Sequence, residues 1–140
     1  MSRTLLVGYD GSPRAASALS LAVSEWPEAT VVLLTVVDPI EAGFSTATGV
    51  PTGAEEWYER ARADAETALS EATAAYDRSF ETRIEVGRPA ATLVEVAEED
   101  RFDHVILGSH GRTGLTRILL GSVAEAVVRK APVPVTVARE

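Results

Sequence analysis

The chain has 140 residues, no cysteine, 46% apolar residues and a formal net charge of −8 from 13 basic and 21 acidic side chains. That length predicts a single domain over residues 1–140 with one core, and the lack of cysteine excludes disulfides and thiolate metal sites. The acidic balance argues against a nucleic-acid groove, which needs a clustered basic surface, and no apolar run approaches the roughly 18 to 20 residues of a membrane span.

Met1-Ser2-Arg3-Thr4 leads directly into an apolar run, which leaves no room for a signal peptide and predicts a cytoplasmic protein. Residues 4–9 form a short, almost unbroken apolar strand of the kind buried on both faces of a parallel sheet. Asp10-Gly11-Ser12-Pro13 ends it, with Ser12 a natural N-cap and Pro13 a natural first helical residue. A helix over 13–26 follows, with Ala16, Leu19, Ala22 and Val23 facing inward. Residues 30–37 read as the second strand, which stops at Asp38-Pro39. From there to Thr52 the sequence turns to Gly, Ser, Thr and Pro, a loop long enough to be functional or simply a surface crossing.

Thr52-Gly53-Ala54-Glu55 fits a capping box and opens the longest helix, to about Arg78, with Trp57, Ala61, Ala65, Ala68, Ala72 and Ala75 on one face. Residues 80–86 interleave apolar and charged side chains and read as an edge strand. Gly87-Arg88-Pro89 begins a third helix that ends near Asp100. Residues 102–107 form a fourth strand, in which His104 is expected at the surface, and 132–138 a fifth. Two prolines beside that last strand place it at an edge. Its apolar rim predicts a homodimer through the C-terminal strand, 133–138.

Between the fourth and fifth strands lies Gly108-Ser109-His110-Gly111-Arg112-Thr113-Gly114, then an apolar segment, then Gly121-Ser122-Val123-Ala124-Glu125. Glycines after a strand let backbone N–H groups approach an anion, and a helix start beyond them adds a partial positive charge. Ser122-Val123-Ala124-Glu125 fits a second capping box. A helix running unbroken from Leu115 to Lys130 also satisfies the 3.6-residue period. It would hold Gly121 in its interior at a cost of about 1 kcal/mol relative to alanine, so a break at Gly121 is preferred.

Alternating strands and helices predict an α/β fold, a doubly wound, five-stranded parallel sheet. Ligands in such sheets bind beyond the carboxyl ends of the strands, where the strand order reverses. Asp10, the end of the second strand at Val36 and Asp38, and the glycine stretch then converge on one crevice. The chain lacks G-x-x-x-x-G-K-[ST], and no G-x-G-x-x-G follows the first strand, so neither common phosphate loop is present.

The spacing glycine, two residues, glycine, nine residues, glycine, serine is met by Gly108, Gly111, Gly121 and Ser122. Together with Asp10-Gly11-Ser12, Thr35-Val36-Val37-Asp38, Gly87-Arg88-Pro89 and Pro132-Val133-Pro134-Val135, it closely resembles the universal stress protein (UspA-like) family, in its ATP-binding branch. The resemblance implies a Rossmann- or flavodoxin-like sheet of order 3-2-1-4-5 that dimerises through the last strand. It implies ATP, ADP or AMP as ligand, with Mg²⁺ bridging phosphate oxygens. Adenine would lie near Asp10 and the Val36 backbone, ribose near Gly8 and Gly108. The phosphates would rest on the loop Ser109, His110, Gly111, Arg112, Thr113 and Gly114 and on Gly121, Ser122 and Val123. No catalytic residue and no protein metal ligand follows from it. A nucleotide-dependent regulatory module with slow hydrolysis at most is expected, acting on a protein partner. A nucleotide-free interaction module and a Mg²⁺-dependent ATPase using Asp10 and His110 are the alternatives.

Overall fold

The computed structural model describes residues 3–40, 53–109 and 120–139. The described elements in chain order are β1 (Thr4–Gly8), α1 (Pro13–Glu25), β2 (Thr30–Val37), α2 (Ala54–Ala74), β3 (Glu81–Val86), α3 (Pro89–Ala97), β4 (His104–Gly108), α4 (Ser122–Lys130) and β5 (Val135–Ala138). The five strands make one sheet in the order β3-β2-β1-β4-β5 with every pairing parallel, as expected.

The apolar runs explain the layering. Leu5, Leu6 and Val7 of the central β1 are all fully buried, so the strand has a core on each face. Leu5 and Val7 join Val31, Leu33 and Ile106 under α1 and α2, with Ala18, Leu19 and Leu69 coming from the helices. Leu6 joins Val32, Leu34, Val105 and Leu107 under α3 and α4, where Leu93, Val96, Ala124 and Val127 meet it. A parallel sheet covered on both sides needs this unbroken apolar content, and alternation would have left one face wet.

Several boundaries and faces differ from the sequence reading. The buried stripe of α1 is Ala15, Ala18, Leu19 and Ala22, whereas Ala16 is exposed. The stripe is rotated because α1 packs across β4 as well as β1. A Cβ added at Gly108 would lie 2.7 Å from the Arg14 carbonyl carbon, so the helix backbone sits directly on that glycine.

Helix α2 ends at Ala74 rather than near Arg78, and it buries Leu69 beside Ala65 while Ala75 is exposed. The chain beyond it is held by tertiary contacts. Arg78 donates to the carbonyls of Pro27 and Ala29, and Tyr76 meets Phe80 edge-on at 5.8 Å. The N-cap of α2 is Gly53, left-handed at φ 92° with no side-chain cap bond. Thr52 lies outside the described residues.

Helix α3 stops at Ala97, short of Asp100. Strand β4 starts at His104, and β5 starts only after Pro134, whose carbonyl accepts from Val105 N at 2.9 Å while its ring nitrogen has no hydrogen to give. His104 is half-buried rather than fully at the surface. Its ring is 5.1 Å from that of Trp26, and its Nε2 is 2.7 Å from Thr136 Oγ1. Since β4 lies between β1 and β5, even its first residue has neighbours on both sides.

Candidate nucleotide-binding site

The strand order reverses between β1 and β4, and the loops leaving their carboxyl ends are set by local hydrogen bonds. After β1, Tyr9 is tied to β2 twice. Its amide donates to the Leu34 carbonyl at 2.9 Å, and its carbonyl accepts from the Thr35 hydroxyl at 2.8 Å. The chain then turns on Asp10, whose Oδ1 accepts from the Ser12 amide at 2.9 Å, and on Gly11, whose φ of 81° suits a residue without Cβ. Ser12 Oγ accepts from the Ala15 amide at 3.1 Å and Pro13 opens the helix, as the sequence indicates. Asp10 is exposed, and its carboxylate shapes this turn.

After β4, the Ser109 amide donates to the Ala138 carbonyl of β5 at 2.8 Å, and Ser109 is 1% exposed. The Ser109 carbonyl accepts from the Gly121 amide at 2.6 Å. This one bond brings the start of α4 back to the end of β4. Of the residues expected to cradle phosphate, His110, Gly111, Arg112, Thr113 and Gly114 lie outside the described residues.

The capping box expected at Ser122 is corrected by the helix geometry. Gly121, extended at φ −70° and ψ 166°, is the N-cap of α4, and Ser122 is the first helical residue. Glu125 does not reach back; its Oε1 takes the Arg129 guanidinium at 2.6 Å, one turn on. The break at Gly121 is present. By helix geometry the first-turn amides of Ser122, Val123 and Ala124 have no partner within the helix.

Gly8 and Gly108 each have a packing reason to lack a side chain. A Cβ at Gly8 would come within 2.7 Å of Leu107 Cδ2, and one at Gly108 within 2.9 Å of three Arg14 atoms. The half-buried Val36 packs against the core beneath α3 and α4.

At the end of β2, Asp38 Oδ1 accepts from the Ile40 amide at 2.9 Å, and its Oδ2 lies 3.5 Å from Arg88 Nε. The Gly87 amide donates to the Val37 carbonyl at 3.0 Å, tying the entry of α3 to β2. This ion pair at the edge of the crevice was missed as a site feature; Gly87-Arg88-Pro89 marked the place but not the partner. Burial, and next the charge of Asp10, push the Tyr9 phenol above its ordinary pKa of 10.0, so it stays neutral and is no base at pH 7. Among the described residues no group of three or more His, Asp or Glu side chains is arranged to hold a metal ion.

The model of the universal stress protein family matches residues 1–139. The chain belongs to the universal stress protein family. A universal stress protein of Mycobacterium tuberculosis is 36% identical over 141 aligned residues, covering 97% of this chain and 45% of that protein. The chain thus spans a little under half the length of that relative. The structure of the universal stress protein UspA from Lactobacillus plantarum superposes with a TM-score of 0.82 at 27% identity, covering 98% of this chain and 97% of that one. A universal stress protein solved in complex with cAMP superposes with a TM-score of 0.64 at 26% identity, covering 98% and 96%. No helix among the described residues is long and apolar enough to cross a membrane.

Proposed function

We propose that this universal stress protein binds an adenine nucleotide, ATP, ADP or AMP, in the crevice between β1 and β4 and acts as a nucleotide-dependent regulatory module in the cytoplasm. The observation that carries the reading is the Ser109 to Gly121 hydrogen bond of 2.6 Å. It sets the first turn of α4 at the switch point of the sheet, where backbone amides and the helix dipole favour an anion. The cAMP complex of a relative supports an adenine nucleotide as the class of ligand.

In this reading the amides of Ser122 and Val123, with the Ser122 hydroxyl, hold phosphate together with the loop residues Ser109, His110, Gly111, Arg112, Thr113 and Gly114. Asp10 and the Val36 backbone flank the base, and Gly8 and Gly108 border the ribose. Mg²⁺ is assigned to phosphate oxygens, a role that suits an ion which keeps most of its waters. Its chemistry there is to neutralise phosphate charge. Hydrolysis is slow, because the reading names no pair of groups to position water and balance transition-state charge.

A nucleotide-free interaction module is favoured by one observation, that packing alone accounts for Gly8 and Gly108. The two readings part on what the purified protein carries. Mass spectrometry of the supernatant after acid denaturation is expected to find an adenine nucleotide, or calorimetry to find ATP with Mg²⁺ binding to stripped protein. Failure to obtain either result, with nucleotide at millimolar concentration, sinks the proposal. A Gly121→Val variant that keeps its circular dichroism is expected to lose the nucleotide.

A further inference from the structure

Helices α3 and α4 run side by side on one face of the sheet, and a groove of about 480 Å³ opens between them. Small and apolar side chains make its walls, Ala90 and Val94 from α3 and Val123 and Ala126 from α4, with Arg88 and Lys130 at opposite ends. No carboxylate lines it among the described residues, although the chain carries 21 acidic against 13 basic residues. A surface of this composition in an acidic protein selects by charge as well as by shape. We propose that the groove docks an acidic amphipathic helix of a protein partner, its apolar stripe between the two helices and a carboxylate toward each end.

The dimensions fix what that helix looks like. From Ser122 to Lys130, α4 rises about 12 Å, so a partner helix lying along it is given carboxylates seven or eight positions apart, one for each end of the groove. The alanines keep the walls low enough for a third helix to lie close. Arg88 shares its charge with Asp38 at 3.5 Å and is 66% exposed on its side chain, so Lys130 carries the undivided charge and is the sharper probe. The groove shares Ser122 and Val123 with the proposed phosphate cradle, so the experiment uses protein stripped of nucleotide and probes Ala126 and Lys130, which the nucleotide reading does not use, so that failure of one does not decide the other.

The probe is a fluorescein-labelled synthetic helix of about 14 residues with leucine at i, i+4 and i+7 and glutamate at both ends. Anisotropy is expected to show saturable binding, weakened about tenfold when the glutamates are replaced by lysines. Lys130→Glu is expected to weaken it about fivefold or more, and Ala126→Arg, at a half-exposed position, to abolish it while thermal melting stays cooperative. Equal binding of both peptides, or unchanged binding to folded Ala126→Arg, overturns the proposal. So does a sedimentation shift on Ala126→Arg without peptide binding, which assigns the groove to a second copy of the chain. Saturation by decanoate but not by the peptide hands it to a small anionic amphiphile and overturns the proposal too.

Discussion

The imidazole of His104 lies against the Trp26 ring and within 2.7 Å of the Thr136 hydroxyl. Burial, with the Arg3 guanidinium second, holds its pKa below the ordinary 6.5. A histidine depressed in the folded state binds its proton more readily when unfolded, so its contribution is present above 6.5 and is lost as pH falls through the lower folded value. The melting midpoint is therefore expected to decline as pH is taken from about 7.5 to about 5.5, and a His104→Phe variant to be flat over that window. An equal decline in both proteins assigns the effect elsewhere. Glu81 and Glu99, lowered by their bonds to Arg101 and Arg83, act only below their ordinary 4.5 and leave this window clean. The sequence shows His104 near the start of a strand, but its environment comes from Trp26 and Thr136, distant along the chain.

Helix starts separate what was legible from what was not. Ser12 and Pro13 announce α1 correctly because the cap bond to Ala15 is local, three residues on. At α4 the pattern Ser122-x-x-Glu125 is equally good on paper, yet Gly121 takes the cap because its amide is held by Ser109 across the crevice. Long-range geometry overrode a local motif, and with it Glu125 went to Arg129. The central strands were readable for the opposite reason: buried runs such as Leu5-Leu6-Val7 declare a two-faced strand within a few residues, whereas the full strand order was implied by the family resemblance. The loop 110–119, which carries much of the sequence motif, lies outside the described residues, so the site's legibility rests on Asp10, Ser109 and Gly121 to Val123. Two substitutions express the contrast. Ser12→Ala is expected to cost about 1 kcal/mol in urea unfolding, the usual worth of a serine cap. Ser122→Ala, at an exposed first helical position with no cap bond, is expected to stay within about 0.5 kcal/mol of the parent. A loss at Ser122 as large as at Ser12 revives the capping box.

At the scale of the molecule, the sheet ends among the described residues in two edges, β3 and β5, and they differ in kind. The β3 edge carries ion pairs, Arg101 with Glu81 at 2.8 Å and Arg83 with Glu99 at 2.9 Å, and charges of this sort discourage strand addition. The β5 edge is apolar. Pro134 and Ala138 turn their carbonyls to β4, accepting from Val105 at 2.9 Å and Ser109 at 2.8 Å. The alternation of a parallel ladder then directs the amides and carbonyls of Val135 and Val137 outward. Those groups ask for a partner strand, and the mycobacterial relative, of which this chain covers 45%, has as much chain again in which to supply one. For this chain a second copy is the economical source, paired about a two-fold axis so that each β5 edge faces the other. Sedimentation is thus expected at twice the 14.9 kDa of one chain. Val137→Pro removes an outward donor and leaves the bonds to β4 in place, so it is expected to shift the protein to monomer while far-ultraviolet circular dichroism is retained. A parent protein that sediments as a monomer at about 100 μM, well above the range of stable homodimers, excludes the pairing.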